Sequence, residues 1–209
     1  NGKGSMYRAE DKDRDQSYFL FSTTQEQLDY LRFPLGSISK SETRNIAEKL
    51  NLNVATKPDS QDICFVPNGD YSSVIKKYRP ESFKSGDIFD LEGKKLGSHD
   101  GIINYTIGQR RGIKISNQKP LYVVSIKTKE NSIIVGPQEY LNIKKLYLRN
   151  MNFLSDKKIF DKEIFIKVRS TGRLLKAKSI IKTDSAIIEI LQDEKGISPG
   201  QACVFYYKD

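Results

Sequence analysis

From about residue 82 onward the apolar residues of this chain stop recurring at helical intervals and begin to alternate, and glycine becomes frequent. Period-two alternation is what a half-buried strand needs, because successive side chains point to opposite faces. Residues 87–91 and 95–96 flank Glu92-Gly93, and residues 121–127 and 132–136 flank 128–131, so each pair reads as a hairpin. After Tyr140 five short runs follow, at 146–154, 163–170, 174–181, 186–191 and 202–207. Strands so short and so spaced predict a small β-barrel.

The first 80 residues have the opposite pattern. Residues 13–31 read as helical, with Tyr18, Leu20, Phe21, Leu28 and Leu31 as candidate buried positions. Phe33-Pro34-Leu35-Gly36 interrupts them. Ser39-Lys40-Ser41-Glu42 has the capping-box form, and Ile46, Ala47 and Leu50 follow at helical spacing, which predicts a helix over 40–51. Tyr71, Val74, Ile75 and Tyr78 predict another, ended by Pro80. The expected organisation is a helical piece over 1–80, a small β-rich domain over 81–143 and a barrel over 144–209. A helical piece without a sheet to pack on reads as the tail of a larger domain.

Composition narrows the function classes. Among 209 residues, 37% are apolar, and 11 tyrosines and 10 phenylalanines supply material for cores despite a mean hydropathy of −0.54. No window approaches the length of uncharged apolar chain that a transmembrane helix needs, and the polar first residues read as no secretion signal. The net charge of +9 favours a polyanionic partner, although a solvated lysine-rich surface has the same composition. The surplus is spread over Lys76, Lys77 and Arg79, over Arg110, Arg111 and Lys114, and over Lys167, Arg169, Arg173, Lys176 and Lys178. Spread charge suits a long groove better than a basic tail.

Two cysteines, Cys64 and Cys203, form neither a disulfide scaffold nor zinc-ligand spacing, and a reducing cytosol fits them best. Cys64 follows the polar stretch Asp59-Ser60-Gln61-Asp62 and is either a small packed hydrophobe or a reactive thiol, with Lys57 favouring the thiolate and both aspartates opposing it. Cys203 lies among apolar neighbours and reads as core. The single histidine, His99, leaves no room for a His-rich metal site and reads as a turn residue.

Two polar stretches stand out. Thr106-Ile107-Gly108-Gln109-Arg110-Arg111-Gly112 is a glycine-bounded basic loop, either a solvated turn or a phosphate-binding fork built on paired arginines. Lys12-Asp13-Arg14-Asp15-Gln16-Ser17-Tyr18 mixes charge and aromatics, either as a helix cap or as a polar patch facing a base. No Walker-type or dinucleotide-binding glycine fingerprint is present.

Asp15-Gln16-Ser17-Tyr18-Phe19-Leu20, Phe33-Pro34-Leu35-Gly36, Asp59-Ser60-Gln61-Asp62-Ile63-Cys64-Phe65, Thr106-Ile107-Gly108-Gln109-Arg110-Arg111-Gly112 and Ser198-Pro199-Gly200-Gln201-Ala202-Cys203-Val204-Phe205-Tyr206 occur in this order. Together they resemble the bacterial tRNA-specific 2-thiouridylases, over essentially the whole chain. The resemblance implies an α/β plus β multidomain protein. Its parts would be the helical C-terminal part of a PP-loop domain (adenine nucleotide alpha hydrolase-like), a small central β-rich domain and a C-terminal β-barrel. It implies that ATP, with Mg, adenylates the C2 oxygen of the wobble uridine in Lys, Glu and Gln tRNAs, and that a persulfide then delivers sulfur to C2. A urea-like carbonyl is a poor electrophile, and adenylation makes its oxygen a leaving group for a sulfur nucleophile once the base is extruded.

By resemblance Cys64 carries that persulfide, supplied by a cysteine desulfurase or sulfur-relay protein, in cytoplasmic chemistry that includes a disulfide and no membrane. Arg14, Asp15 and Gln16 match a Lys-Asp-Gln triplet that contacts tRNA, with Arg where Lys is common. Arg169 and Ser170 match an Arg-Tyr pair, Ser being a departure. Gln201 matches the Gln of a Pro-Gly-Gln motif, and Gln109, Arg110 and Arg111 join the expected tRNA surface. The PP-loop motif Ser-Gly-Gly-x-Asp-Ser and a second catalytic cysteine upstream are not in this sequence. The expectation is therefore a fragment whose missing part binds ATP, whose barrel lacks a strand, and which binds tRNA without thiolating it alone. The rival expectation is a non-catalytic basic RNA-binding module with a translation-factor-like barrel, which would need no reactive Cys64.

Overall fold

The computed structural model describes residues 2–58 and 71–207. The chain divides into two compact units, one of Asn1–Asp59, Lys144–Gln192 and Gly200–Asp209, the other of Ser60–Ile143 and Asp193–Pro199.

In the second unit both predicted hairpins form. Strands β1 (Gly86–Phe89) and β2 (Lys95–His99) pair antiparallel, as do β3 (Tyr122–Lys127) and β4 (Ser132–Gly136). Gly93 (φ 85°) and Asn131 (φ 47°) take the left-handed turn conformation that glycine and asparagine tolerate best. The hairpins join through a parallel β1–β4 pairing, giving the order β2-β1-β4-β3. Ile88, Val123, Ile133 and Val135 bury completely in a core with Tyr105 and Ile113. Burying each such side chain contributes about 1.5–3 kcal/mol before entropy is counted.

His99 is not the turn residue its glycine-rich surroundings predict. It ends β2 at 1% exposure. Its Nδ1 accepts the Gly101 N–H at 3.1 Å, so Nε2 carries the proton and donates to the Asn131 carbonyl at 3.1 Å. The Asn131 amide in turn donates to the carbonyls of Lys84 and Ser85. A Cβ at Gly86 would collide with the Asn131 carbonyl, so this corner requires glycine. The helix predicted from Tyr71 is α3 (Tyr71–Tyr78), and Pro80 follows it in a 3-10 turn.

The first unit holds the five strands expected after Tyr140, none longer than its apolar run: β5 (Lys145–Arg149), β6 (Ile164–Lys167), β7 (Leu175–Ile181), β8 (Ser185–Ile190) and β9 (Val204–Tyr206). They form one antiparallel sheet in the order β5-β8-β7-β6-β9. Among the described residues β5 and β9 each pair on one side only, so the sheet is an open half-barrel. Ile164, Ile166, Leu175, Ala177, Ala186, Ile188 and Ile190 are buried in it. Phe205, Phe160 and Phe153 meet edge to face in series.

The helices α1 (Gln25–Tyr30) and α2 (Lys40–Lys49) open on capping boxes. At α2 the Ser39 hydroxyl accepts the Glu42 N–H while the Glu42 carboxylate accepts the Ser39 N–H, as the sequence pattern predicts. The continuous helix expected over 13–31 breaks instead into 3-10 turns at Lys12–Arg14 and Ser17–Leu20, followed by α1. The cause is local competition, since the Asp15 carboxylate takes the Ser17 N–H at 3.1 Å. Of the five positions expected to be buried there, Tyr18 and Leu28 are, Leu20 is half-buried, and Phe21 and Leu31 are exposed. Ile46 and Leu50 on α2 are exposed as well.

Candidate nucleic-acid interface

Within the triplet Arg14-Asp15-Gln16 the three side chains diverge. Arg14 and Gln16 are exposed, whereas the Asp15 side chain is 1% exposed. Its Oδ1 accepts the N–H groups of Ser17 at 3.1 Å and Ala9 at 3.3 Å. Its Oδ2 accepts Arg8 Nε at 3.1 Å and the Ser17 hydroxyl at 3.0 Å. Burial pushes the carboxyl pKa up, but the Ser17 backbone and hydroxyl, Arg8 and the Ala9 amide outweigh it and hold it below the ordinary 3.8. A carboxylate so surrounded has no lone pair left for a base. Asp15 is thus not positioned for the direct tRNA contact that the triplet as a whole predicts.

The network continues onto β9. Ser17 spends its single proton on the carboxylate, so the Tyr206 hydroxyl, 3.0 Å away, must donate to Ser17 Oγ. Burial holds the Tyr206 phenol pKa above its ordinary value, in keeping with a permanent donor. The Arg8 guanidinium lies 5.9 Å from the Tyr206 ring centre, and the Tyr18 hydroxyl donates to the Ala202 carbonyl at 3.0 Å. Farther along, the Asn152 amide donates to the carbonyls of Phe21 and Thr23.

This packing gathers three of the sequence-predicted stretches. Arg169 and Ser170, both half-buried, follow the end of β6, and exposed Gln201 precedes the start of β9. The two strands are neighbours with Lys167 opposite Val204, so both stretches lie at one end of the sheet, where Tyr18 also anchors the 14–18 segment. The Arg169 carbonyl accepts the Gly172 N–H at 3.1 Å, and a Cβ at Gly172 would come within 2.8 Å of Arg169 Cγ. Glycine there leaves the arginine stem room.

The basic loop belongs to the other unit and is shaped from within. The Gln109 amide accepts the Thr106 N–H at 2.9 Å and donates to the Arg111 carbonyl at 2.9 Å. Gly108 (φ 89°) and Gly112 (φ 79°) supply left-handed turns, and buried Ile113 ties the loop to the core. Arg110 and Arg111 are left exposed. Arg110, Lys114 and Lys119 line a shallow concavity of about 400 Å³ with Ile115 and Leu121. Lys114 is paired to Asp100 at 3.0 Å.

Cys64 lies outside the described residues. Cys203 is free and half-buried just before β9 rather than within the strand, and burial pushes its thiol pKa up to about 12. No described helix is long and apolar enough to cross a membrane. Among the described residues no three His, Cys, Asp or Glu come together to hold a metal, and no glycine-rich phosphate loop is present. By themselves these residues offer neither Mg a ligand cluster nor ATP a phosphate-cradling loop.

Three family models match in succession. Residues 1–68 match a tRNA methyl transferase HUP domain, residues 72–137 a tRNA methyl transferase PRC-barrel domain, and residues 143–209 an aminomethyltransferase beta-barrel domain. The tRNA-specific 2-thiouridylase MnmA of Sinorhizobium medicae is 49% identical over 98% of this chain and 53% of its own length. Those of Rhizobium meliloti and Brucella ovis are each 50% identical over the same shares. The chain belongs to the tRNA-specific 2-thiouridylase family. It spans about half the length of these relatives. Of the residues that carry the Asp15 network, Arg8 lies outside every motif of the sequence, and Ser17 and Tyr206 fall in two of them without a role that the sequence assigns. Ser17 adjoins the triplet, but nothing in the order of residues pairs it with a tyrosine at the far end of the family's barrel.

Proposed function

We propose that this chain supplies the tRNA-binding and sulfur-carrying parts of a cytoplasmic tRNA 2-thiouridylase. Cys64 carries a persulfide, donated by a cysteine desulfurase or sulfur-relay protein. Its terminal sulfur attacks the adenylated C2 of the wobble uridine in Lys, Glu and Gln tRNAs, and the C2 oxygen leaves on AMP. The thiol of a second cysteine breaks the S–S bond to form a disulfide with Cys64, leaving the sulfur on C2. ATP-dependent activation of that oxygen is assigned to none of the described residues. Arg14, Gln16, Arg169, Ser170, Gln201, Arg110 and Arg111 face the tRNA. Asp15 and Gln109 shape the segments that display them. The boundaries 1–80, 81–143 and 144–209 divide the chain between the catalytic, central and barrel parts.

The observation that carries this reading is identity of about half along 98% of the chain to relatives named as tRNA-specific 2-thiouridylases. The exposed basic side chains and the +9 charge agree with a polyanionic substrate. Incubation with a cysteine desulfurase and cysteine, followed by peptide mass analysis, tests the sulfur-carrying role. The Cys64 peptide should gain one sulfur atom. Cys203 should gain none, because a thiol with a pKa of about 12 is thiolate only to about one part in ten thousand at pH 8. Sulfur on Cys203, or on neither cysteine, contradicts the assignment.

A further inference from the structure

We infer that Tyr206 and Ser17 are positioning residues for tRNA, holding the Arg14–Gln16 segment against the edge strand β9 so that Arg14 and Gln16 face outward. The inference rests on the reading that those two side chains contact tRNA. Arg14 ends one short 3-10 turn and residues 15 and 16 link it to the next, and a three- or four-residue turn has little stability of its own. What fixes the segment is a directed chain of hydrogen bonds. The Tyr206 hydroxyl donates to Ser17 Oγ, Ser17 Oγ donates to Asp15 Oδ2, and Arg8 Nε donates to the same oxygen. Each bond polarises the next, and the series ends on a charge, the arrangement in which such chains are strongest.

The chain of bonds also settles direction. With the Asp15 side chain drawn inward, the exposed neighbours on either side, Arg14 and Gln16, are presented together on the outer face. Tyr206 lies on β9 opposite Phe165 of β6, so the support is a sheet edge rather than another loop. Rigid support lowers the ordering cost that a flexible segment would incur on binding.

Tyr206→Phe tests this, because it keeps the ring and removes only the donated bond, leaving Ser17 still able to satisfy the carboxylate. Hydrogen exchange at the Ser17 amide of the free chain reads the latch itself. Loss of one bond worth about 1 kcal/mol should speed it about fivefold. Affinity for an unmodified glutamate-acceptor tRNA transcript reads the consequence. It should fall about threefold in the wild-type background and stay within about 1.5-fold in the Arg14→Ala/Gln16→Ala background, since coupled residues are non-additive. Unchanged exchange overturns the latch. An equal affinity loss in both backgrounds overturns the positioning role, because Tyr206 would then act elsewhere. Faster exchange together with wild-type affinity in Arg14→Ala/Gln16→Ala shows that the latch exists but that the tRNA assignment of Arg14 and Gln16 has failed, and the inference falls with it.

Discussion

The Asp15 segment and the Gln109 loop solve one problem in two ways. Each is a short polar stretch in which a central side chain turns inward and its neighbours turn out: Asp15 between Arg14 and Gln16, and Gln109 beside Arg110 and Arg111. The Gln109 loop is self-contained. A neutral amide bonds to backbone within three residues on one side and two on the other, and glycines absorb the turns. The Asp15 segment is held by a buried charge and by partners as remote as Tyr206, 189 residues beyond Ser17. Display of basic side chains thus needs a fixed inward neighbour but no particular chemistry, and the chemistry chosen sets what the display is sensitive to.

The largest expected effect separates the two on stability. Asp15→Ala takes the carboxylate away from Arg8 Nε and from three further donors in a largely buried site, and should cost about 3 kcal/mol in urea unfolding of the chain. Gln109→Ala removes two bonds to backbone groups that water reaches, and should cost about 1 kcal/mol. Equal losses would erase the distinction.

Acid should separate them next. The folded Asp15 pKa lies below its unfolded value, so its stabilisation is complete above the unfolded value of about 3.9 and disappears as pH falls through the lower folded one. Unfolding free energies measured from pH 6 downward should fall more steeply for the wild type than for Asp15→Asn below about pH 4. Gln109→Ala should keep the wild-type acid slope. A steep acid loss that survives in Asp15→Asn would place the sensitivity on other carboxylates.

How much of this was legible beforehand follows the range of the interactions. The Ser39–Glu42 box, both hairpins and the five strands after Tyr140 depend on neighbours within a few residues or on simple alternation, and the structure has them. The loop around Gln109 was legible as glycine-bounded and basic for the same reason. The inward turn of Asp15 was not, because a carboxylate before Ser17 reads equally as a helix cap, and what decides the matter is Arg8 on one side and β9 on the other. His99 failed likewise: its partner Asn131 lies 32 residues away across the sheet. Exposed Phe21, Leu31, Ile46 and Leu50 sit where helical spacing predicted burial, since periodicity marks a face and says nothing of what covers it.

The salt dependence of tRNA binding tests the inward–outward division most directly. If about five phosphates are neutralised, the log–log slope for the chain should lie near −4. Arg110→Ala, Arg111→Ala and Arg14→Ala should each bring the slope about one unit closer to zero and weaken binding by about 1 kcal/mol. Gln109→Ala should weaken binding with the slope unchanged, because it shapes the loop without meeting a phosphate. Slopes unmoved by all three arginine substitutions, or a slope that shifts in Gln109→Ala as it does in Arg110→Ala, would contradict the account.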